Sequence, residues 1–175
     1  MEELITSNLF SAFIGSTIGV LFSFFLKKKN EREALTLEFH KEWNSYEMSN
    51  HRNIAYIFIK KNPELYYSTL SKHDLEGSIS LFIILRFYQR LWQCFYYNHL
   101  DKQLAANLFY ENFYWYYFIS FEKSLKPVRD DWPAYQEIVN LKCKFREYTS
   151  ELEYLKYKKK YNEKYLEYMN NKVTN

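Results

Sequence analysis

Residues 4–26 read LITSNLFSAFIGSTIGVLFSFFL, and residues 27–29 read KKK. No charge interrupts the first stretch, which as an α-helix extends roughly 34 Å and covers a hydrocarbon core of about 30 Å. A secretory signal would place positive charge ahead of the apolar run and small residues behind it. Here Glu2 and Glu3 precede the run, and Lys27, Lys28 and Lys29 follow it. The expectation is one N-terminal transmembrane helix. The positive-inside rule keeps the lysines cytoplasmic, with a short N-terminus outside. Residues 1–29 then form an anchor with its basic stop, and residues 30–175 a cytoplasmic helical domain.

The same stretch has a small face. At about 100° per residue, Asn8, Ser11, Ala12, Gly15, Ser16, Gly19 and Ser23 share one arc, while Leu9, Phe10, Phe13, Val20, Leu21 and Phe24 occupy another. Gly15 and Gly19 form a GxxxG pair that Ser11 and Ser23 extend at the same spacing, so two helices could approach closely and their hydroxyls could bond across the seam. Self-association of the membrane helix is one reading and an inert anchor the other. A sharper version of the first lines a narrow polar path with Asn8, Ser11, Ser16 and Ser23.

Beyond Lys29 the composition points to helices. Glycine occurs only three times in the chain, and Gly77 is the one beyond the apolar stretch, which disfavours tight hairpins. Aromatic residues make up 21%, so large rings must fill much of the core. The expected architecture is all-α: one transmembrane helix plus a helical bundle ending in a long C-terminal helix. Leu35, Phe39 and Trp43 stripe a helix that continues the anchor. Asn44 or Ser45 caps a second helix over Tyr46–Lys61, and Asn62, Pro63 and Glu64 read as the start of a short one. Residues 71–78 look like a loop. Residues 80–100 are apolar nearly all round and predict a central helix, with Arg86 and Arg90 arguing against a second span. Asp101 caps its expected hairpin partner, which carries Leu104, Leu108, Phe109, Phe113, Tyr116 and Phe121.

After Pro127, the run Asp131, Trp132, Pro133 opens what reads as a single last helix, the longest of the protein. Leu141, Phe145, Tyr148, Leu152 and Leu155 form a short coiled-coil-like seam, giving way to a stripe of Tyr154, Tyr157, Tyr161, Tyr165 and Tyr168. Interleaved with those tyrosines are Lys156, Lys158, Lys159, Lys160 and Lys164. Tyr154, Lys156, Tyr157, Lys158, Lys159, Lys160 and Tyr161 are therefore a candidate partner-binding set, able to stack bases and neutralise phosphates of single-stranded nucleic acid, or to meet a protein or anionic lipid. Neighbouring glutamates make a solvated, salt-bridged helix the alternative.

Searches for chemistry are negative. Phosphate-binding glycine loops, HExxH, zinc-type cysteine and histidine spacing, and the GxSxG elbow do not occur. Arg32 stands too far before His40, and Arg90 too far before His99, for the spacing of helical toxin ribonucleases. Glu38, His40 and Glu42, and the pair Glu47 and His51, lie close enough on helices to share a proton or a metal, but charged helix faces produce such pairs routinely. Cys94 and Cys143 read as buried, reduced thiols on apolar helix faces. A non-enzymatic protein without cofactor is expected.

Three stretches carry a resemblance: LTLEFHKEWNSYEMSNHR, LRFYQRLWQCFYYNHLD and NFYWYYFISFEKSLKPVRDDWPAYQEI. In pattern and order, from about Leu35 to Glu147, they resemble an uncharacterised bacterial family of membrane-tethered helical domains. The resemblance implies a single-pass topology in the bacterial inner membrane, with no catalytic residues to transfer. Small anchored proteins of this sort also resemble membrane effectors of anti-phage (abortive infection) systems. That likeness implies a homo-oligomer in contact with membrane lipid that a protein or nucleic-acid partner from the same operon restrains or releases.

Overall fold

A computed structural model of the chain describes the backbone of residues 2–64, 74–125 and 132–173, and the side chains of residues 20–64, 74–123 and 132–171. The described residues form a helical bundle without strands. Helix α1 (Glu2–Trp43) is continuous, as expected, because neither glycine nor proline interrupts residues 20–43. Helix α2 (Tyr46–Lys61) has the expected bounds. The Ser45 hydroxyl accepts from the Met48 amide at 3.2 Å and satisfies a first-turn N–H that would otherwise lack a partner.

Asn62 works in the opposite sense to the expectation. Its side-chain amide donates to the Phe58 carbonyl at 3.0 Å, so it closes α2. Beyond Pro63 and Glu64, the short helix expected there lies outside the described residues. Helix α3 (Leu75–Tyr96) begins inside the stretch expected to be a loop, because Asp74 Oδ1 accepts from the Gly77 amide at 3.0 Å and caps it. A Cβ on Gly77 would overlap the Phe58 ring, so the missing side chain is what lets α2 and α3 cross closely there.

Asp101, as expected, caps helix α4 (Lys102–Tyr116) through the Leu104 amide at 3.0 Å. The chain then widens into a π-helical segment (Tyr117–Leu125). Tyr117, Phe118, Ile119, Ser120 and Phe121 are all buried there, a run that needs neighbours on every side. The backbone of α3 lies closest to α2 and to helix α5 (Pro133–Glu147), and it meets α4, its expected hairpin partner, through bulky rings. Tyr88 reaches Phe113 with ring centroids 5.0 Å apart, and Phe87 reaches Phe109 at 5.7 Å. At the centre Trp43 lies 4.9 Å from Phe87 and 5.2 Å from Tyr88. Such offset and edge-on pairs each add roughly 0.5–1.5 kcal/mol beyond the area they bury.

The single last helix is not formed. The chain breaks at Tyr148–Ser150 and resumes as helix α6 (Glu151–Val173), leaving α1 the longest element. Ser150 Oγ accepts from the Glu153 amide at 3.2 Å while the Glu153 carboxylate accepts from the Ser150 hydroxyl at 2.9 Å and amide at 3.4 Å, a capping box that starts a new helix. The Thr149 hydroxyl meanwhile donates to the Phe145 carbonyl at 2.8 Å. The break dissolves the proposed coiled-coil seam: Leu141 and Phe145 are fully buried, whereas Leu152 is 81% exposed and Leu155 is 51% exposed.

Among the described residues no helix is long and apolar enough to cross a membrane. The transmembrane expectation over residues 4–26 rests largely on side chains outside that description; only Val20 to Leu26 are within it.

Candidate functional site

Two surfaces stand out, one where α1 leaves the bundle and one along α6. From Val20 to Leu26 the described side chains of α1 are exposed on every side, Val20 at 70% and Phe25 at 66%. Left in water, each such residue forgoes about 1.5–3 kcal/mol of burial. Ser23, on the small face, is exposed, while Ser11, Gly15 and Gly19 lie outside the described side chains. Lys27, Lys28 and Lys29 follow and are exposed; Lys27 lies 4.0 Å from Glu31, and Lys28 caps the Phe24 ring at 5.1 Å.

The turn between α3 and α4 locks onto α1 one to two turns beyond these lysines. Thr36 is completely buried; its hydroxyl donates to the Arg32 carbonyl at 2.7 Å and accepts from the Asp101 amide at 3.0 Å. The turn itself closes by a Schellman arrangement. Asn98 takes a left-handed φ of 61°, its amide bonds the Phe95 carbonyl at 3.2 Å, and the His99 amide bonds the Cys94 carbonyl at 2.9 Å. This ends α3 at Tyr96, short of the expected Leu100, and swings Leu100 into the core. Two hollows flank the joint. One of about 350 Å³ is lined by Lys28, Arg32, Tyr97 and His99 with Glu31, and the other of about 260 Å³ by Lys29, Arg32, Asn98 and Lys102 with Asp101. Sequence reading missed Arg32, Tyr97 and Lys102 because the fold, not the chain order, brings them beside Lys28 and Lys29. The available hint was the closely spaced Asn98 and Asp101, an asparagine able to end one helix and an aspartate able to begin the next.

Along α6 the residues interleaved in sequence separate in space. Tyr154, Tyr161 and Tyr168 are buried and Tyr157 is half-buried, whereas Lys156, Lys158, Lys159 and Lys160 are exposed. Tyr114 packs on Tyr154 at 5.5 Å and Tyr110 on Tyr157 at 5.6 Å, so these rings serve the joint between α4 and α6 and do not form a stacking platform for bases. Lys160 reaches Glu111 at 3.7 Å and Lys159 lies 4.0 Å from Glu163. Burial raises the tyrosine hydroxyls: Tyr114 is pushed up to about 12, and Tyr116, Tyr157 and Tyr161 go higher still.

The histidine pairs are dispersed. Glu42 is ion-paired with Arg90 across to α3, the His40 ring meets Phe109 edge-on at 6.2 Å, and His51 Nδ1 lies 3.1 Å from the Ser80 hydroxyl. Among the described residues no cluster of His, Cys, Asp and Glu could hold a metal ion. Both thiols are free; Cys94 is half-buried, and burial raises its pKa, but Cys143 is exposed, contrary to the buried position expected for it. A third hollow, of about 300 Å³, lies between α2 and α4 and is walled by Arg52, Tyr56, Trp115 and Tyr116. The Arg52 guanidinium sits 4.8 Å over the Trp43 ring beneath it.

Comparison with protein-family models, with curated proteins and with solved structures finds no match.

Proposed function

We propose that this chain is a non-enzymatic, single-pass membrane protein that oligomerises as an effector or adaptor. The apolar part of α1 lies in the bacterial inner membrane and the bundle on its cytoplasmic side. One observation carries the reading. The same unbroken helix buries Phe39 and Trp43 in the core and presents Val20, Leu21, Phe22, Phe24, Phe25 and Leu26 outward on all sides. Nothing in the described chain covers those residues, and a lipid environment would. The basic step at Lys27, Lys28 and Lys29 agrees in sign with a cytoplasmic bundle.

In this reading the small face at Ser11, Gly15, Gly19 and Ser23 joins copies within the bilayer, and the bundle takes the signal that controls assembly. A role in anti-phage defence, with a partner from the same operon restraining the protein until infection, fits the sequence resemblance. The test is cysteine-free full-length protein in native membranes. Gly15→Leu with Gly19→Leu should abolish chemical crosslinking between copies and any growth arrest on induction, while membrane retention persists. Equal crosslinking in the variant removes the association face.

The lysine side of α6 favours a second reading, a tether for a partner. Lys156 and Lys158 are exposed and carry no ion pair among the described residues. With the tyrosines turned inward, that side favours an acidic protein surface over stacked bases. Lys156→Glu with Lys158→Glu should release such a partner, and binding that persists unchanged would discard this reading.

A further inference from the structure

We infer that the joint between α1 and the α3–α4 turn is a binding site for the phosphate of an anionic lipid headgroup, so that the bundle is held against the bilayer at a second point besides its anchor. The inference rests on the membrane reading of α1. Its substance is the position of Arg32, Tyr97, His99 and Lys102, which that reading does not use.

Depth comes first. Leu26 ends the apolar stretch, and Arg32 lies six residues on, roughly 9 Å along the helix axis. Headgroups occupy about 5–8 Å on each side of the hydrocarbon, so Arg32 and whatever is fastened beside it stand at or just beyond headgroup level. The Thr36 hydroxyl and the Arg32 carbonyl, the latter at 3.4 Å from the Asp101 amide, fasten the α3–α4 turn there. Tyr96 and Tyr97, both about two-thirds exposed, project from that turn, and amphipathic rings of this kind are enriched at membrane interfaces.

Charge comes second. The two hollows share Arg32 and Asn98 and bring Lys28, Lys29, Arg32 and Lys102 to one joint. The acids lining them have other duties: Glu31 faces Lys27, and Asp101 caps α4. Lys28 and Lys102 lean on the Phe24 and Phe95 rings, and no ion pair involves Lys28, Lys29, Arg32 or Lys102 among the described residues. Each hollow is large enough for a phosphodiester with its first carbons. An anionic lipid supplies that group at the depth where the cations stand, with acyl chains that can run down the exposed side of Val20 to Leu26. A free phosphate would share the cations but gain nothing from the neighbouring hydrocarbon.

The experiment uses full-length protein in nanodiscs of phosphatidylcholine, alone or with phosphatidylglycerol as the minority lipid. Spin-labelled lipids read the composition of the lipid shell. Wild type should enrich phosphatidylglycerol, and Arg32→Glu with Lys102→Glu should lower that enrichment roughly fivefold or more although Lys27, Lys28 and Lys29 remain. The milder pair Arg32→Gln with Lys102→Gln, checked for unchanged helical circular dichroism, should lower it by a smaller factor in the same direction. An identical lipid shell in wild type and in both variants overturns the headgroup site alone. Loss of the enrichment on adding millimolar inorganic phosphate at constant ionic strength assigns the cations to a free anion and overturns the lipid. Failure of the wild type to enter either disc overturns the anchor and the headgroup site together.

Discussion

Helices α1 and α6 are both long and rich in large side chains, yet they dispose of them in opposite ways. In α6 the rings of Tyr154, Tyr161 and Tyr168 line one side and are buried, while Lys156, Lys158 and Lys159 face outward. Between Val20 and Leu26, α1 has no such covered side; apart from Ser23 its groups are apolar, and the bundle covers none of them. A one-sided helix needs only a neighbour to be stable, whereas a helix apolar all round needs a different solvent or several neighbours. The bundle therefore ends where the stripe on α1 becomes one-sided, at Leu35, Thr36, Phe39 and Trp43.

The sharpest way to break this contrast is to charge the apolar stretch of residues 4–26. Ile14→Lys with Val20→Lys should cost about 4–6 kcal/mol of membrane insertion. Full-length protein should then move from the membrane pellet to the supernatant while the bundle keeps its thermal unfolding midpoint. Retention in the pellet after a high-salt wash would show that α1 and α6 do not differ in solvent. Next in size is the covered side of α6. Tyr161→Ala should lower the unfolding free energy by about 3 kcal/mol, as large-to-small core substitutions do, whereas Lys158→Gln on the opposite side should stay within about 0.5 kcal/mol. Equal effects in urea titrations would dissolve the distinction between the two sides.

Alkali separates the two helices without mutation. Tyr114 is held neutral by burial up to about pH 12, against about 10 when unfolded, so the folded state binds its proton more tightly in that window. The stability this contributes is complete below pH 10 and lost as pH rises towards 12, on the order of 1–2 kcal/mol for this residue after allowance for solvent. Carbonate at pH 11 should thus loosen the bundle, seen in near-ultraviolet circular dichroism, while the proposed anchor in α1 keeps the protein in the membrane pellet. A bundle indifferent to pH 11 would contradict the burial of these hydroxyls. The smallest effect is at the start of α6, where Ser150→Ala should cost about 1 kcal/mol by removing half of the capping box.

Periodic and capping signals carried much of the fold. The bounds of α2, the continuity of α1 and the role of Asp101 all follow from residues that act on their immediate neighbours. The break before α6 was also legible, since Ser150 and Glu153 have the capping-box spacing, but the run Leu141, Phe145, Tyr148, Leu152, Leu155 imitates a seam across it. The heptad pattern treats every apolar residue as buried, and Leu152 and Leu155 are not. Gly77 was visible as an isolated glycine, but that it admits Phe58 depends on how α2 crosses α3, which no local pattern encodes. The basic joint was hidden for a similar reason: about seventy residues of chain separate Arg32 from Lys102, and the Asp101 amide, held by the Thr36 hydroxyl and the Arg32 carbonyl, brings them together.

The unbroken course of α1 has a geometric consequence. A continuous helix transmits rotation as well as position, so the azimuth of the small face around Gly15 and Gly19 is locked to that of Phe39 and Trp43 in the core. Adding one alanine near Asn30 would turn the bundle by about 100° relative to that face, whereas adding seven would return it to within roughly 20° of its starting angle. In the proposed assembly, copies meeting through their small faces are thereby told which flank of each bundle confronts its neighbour.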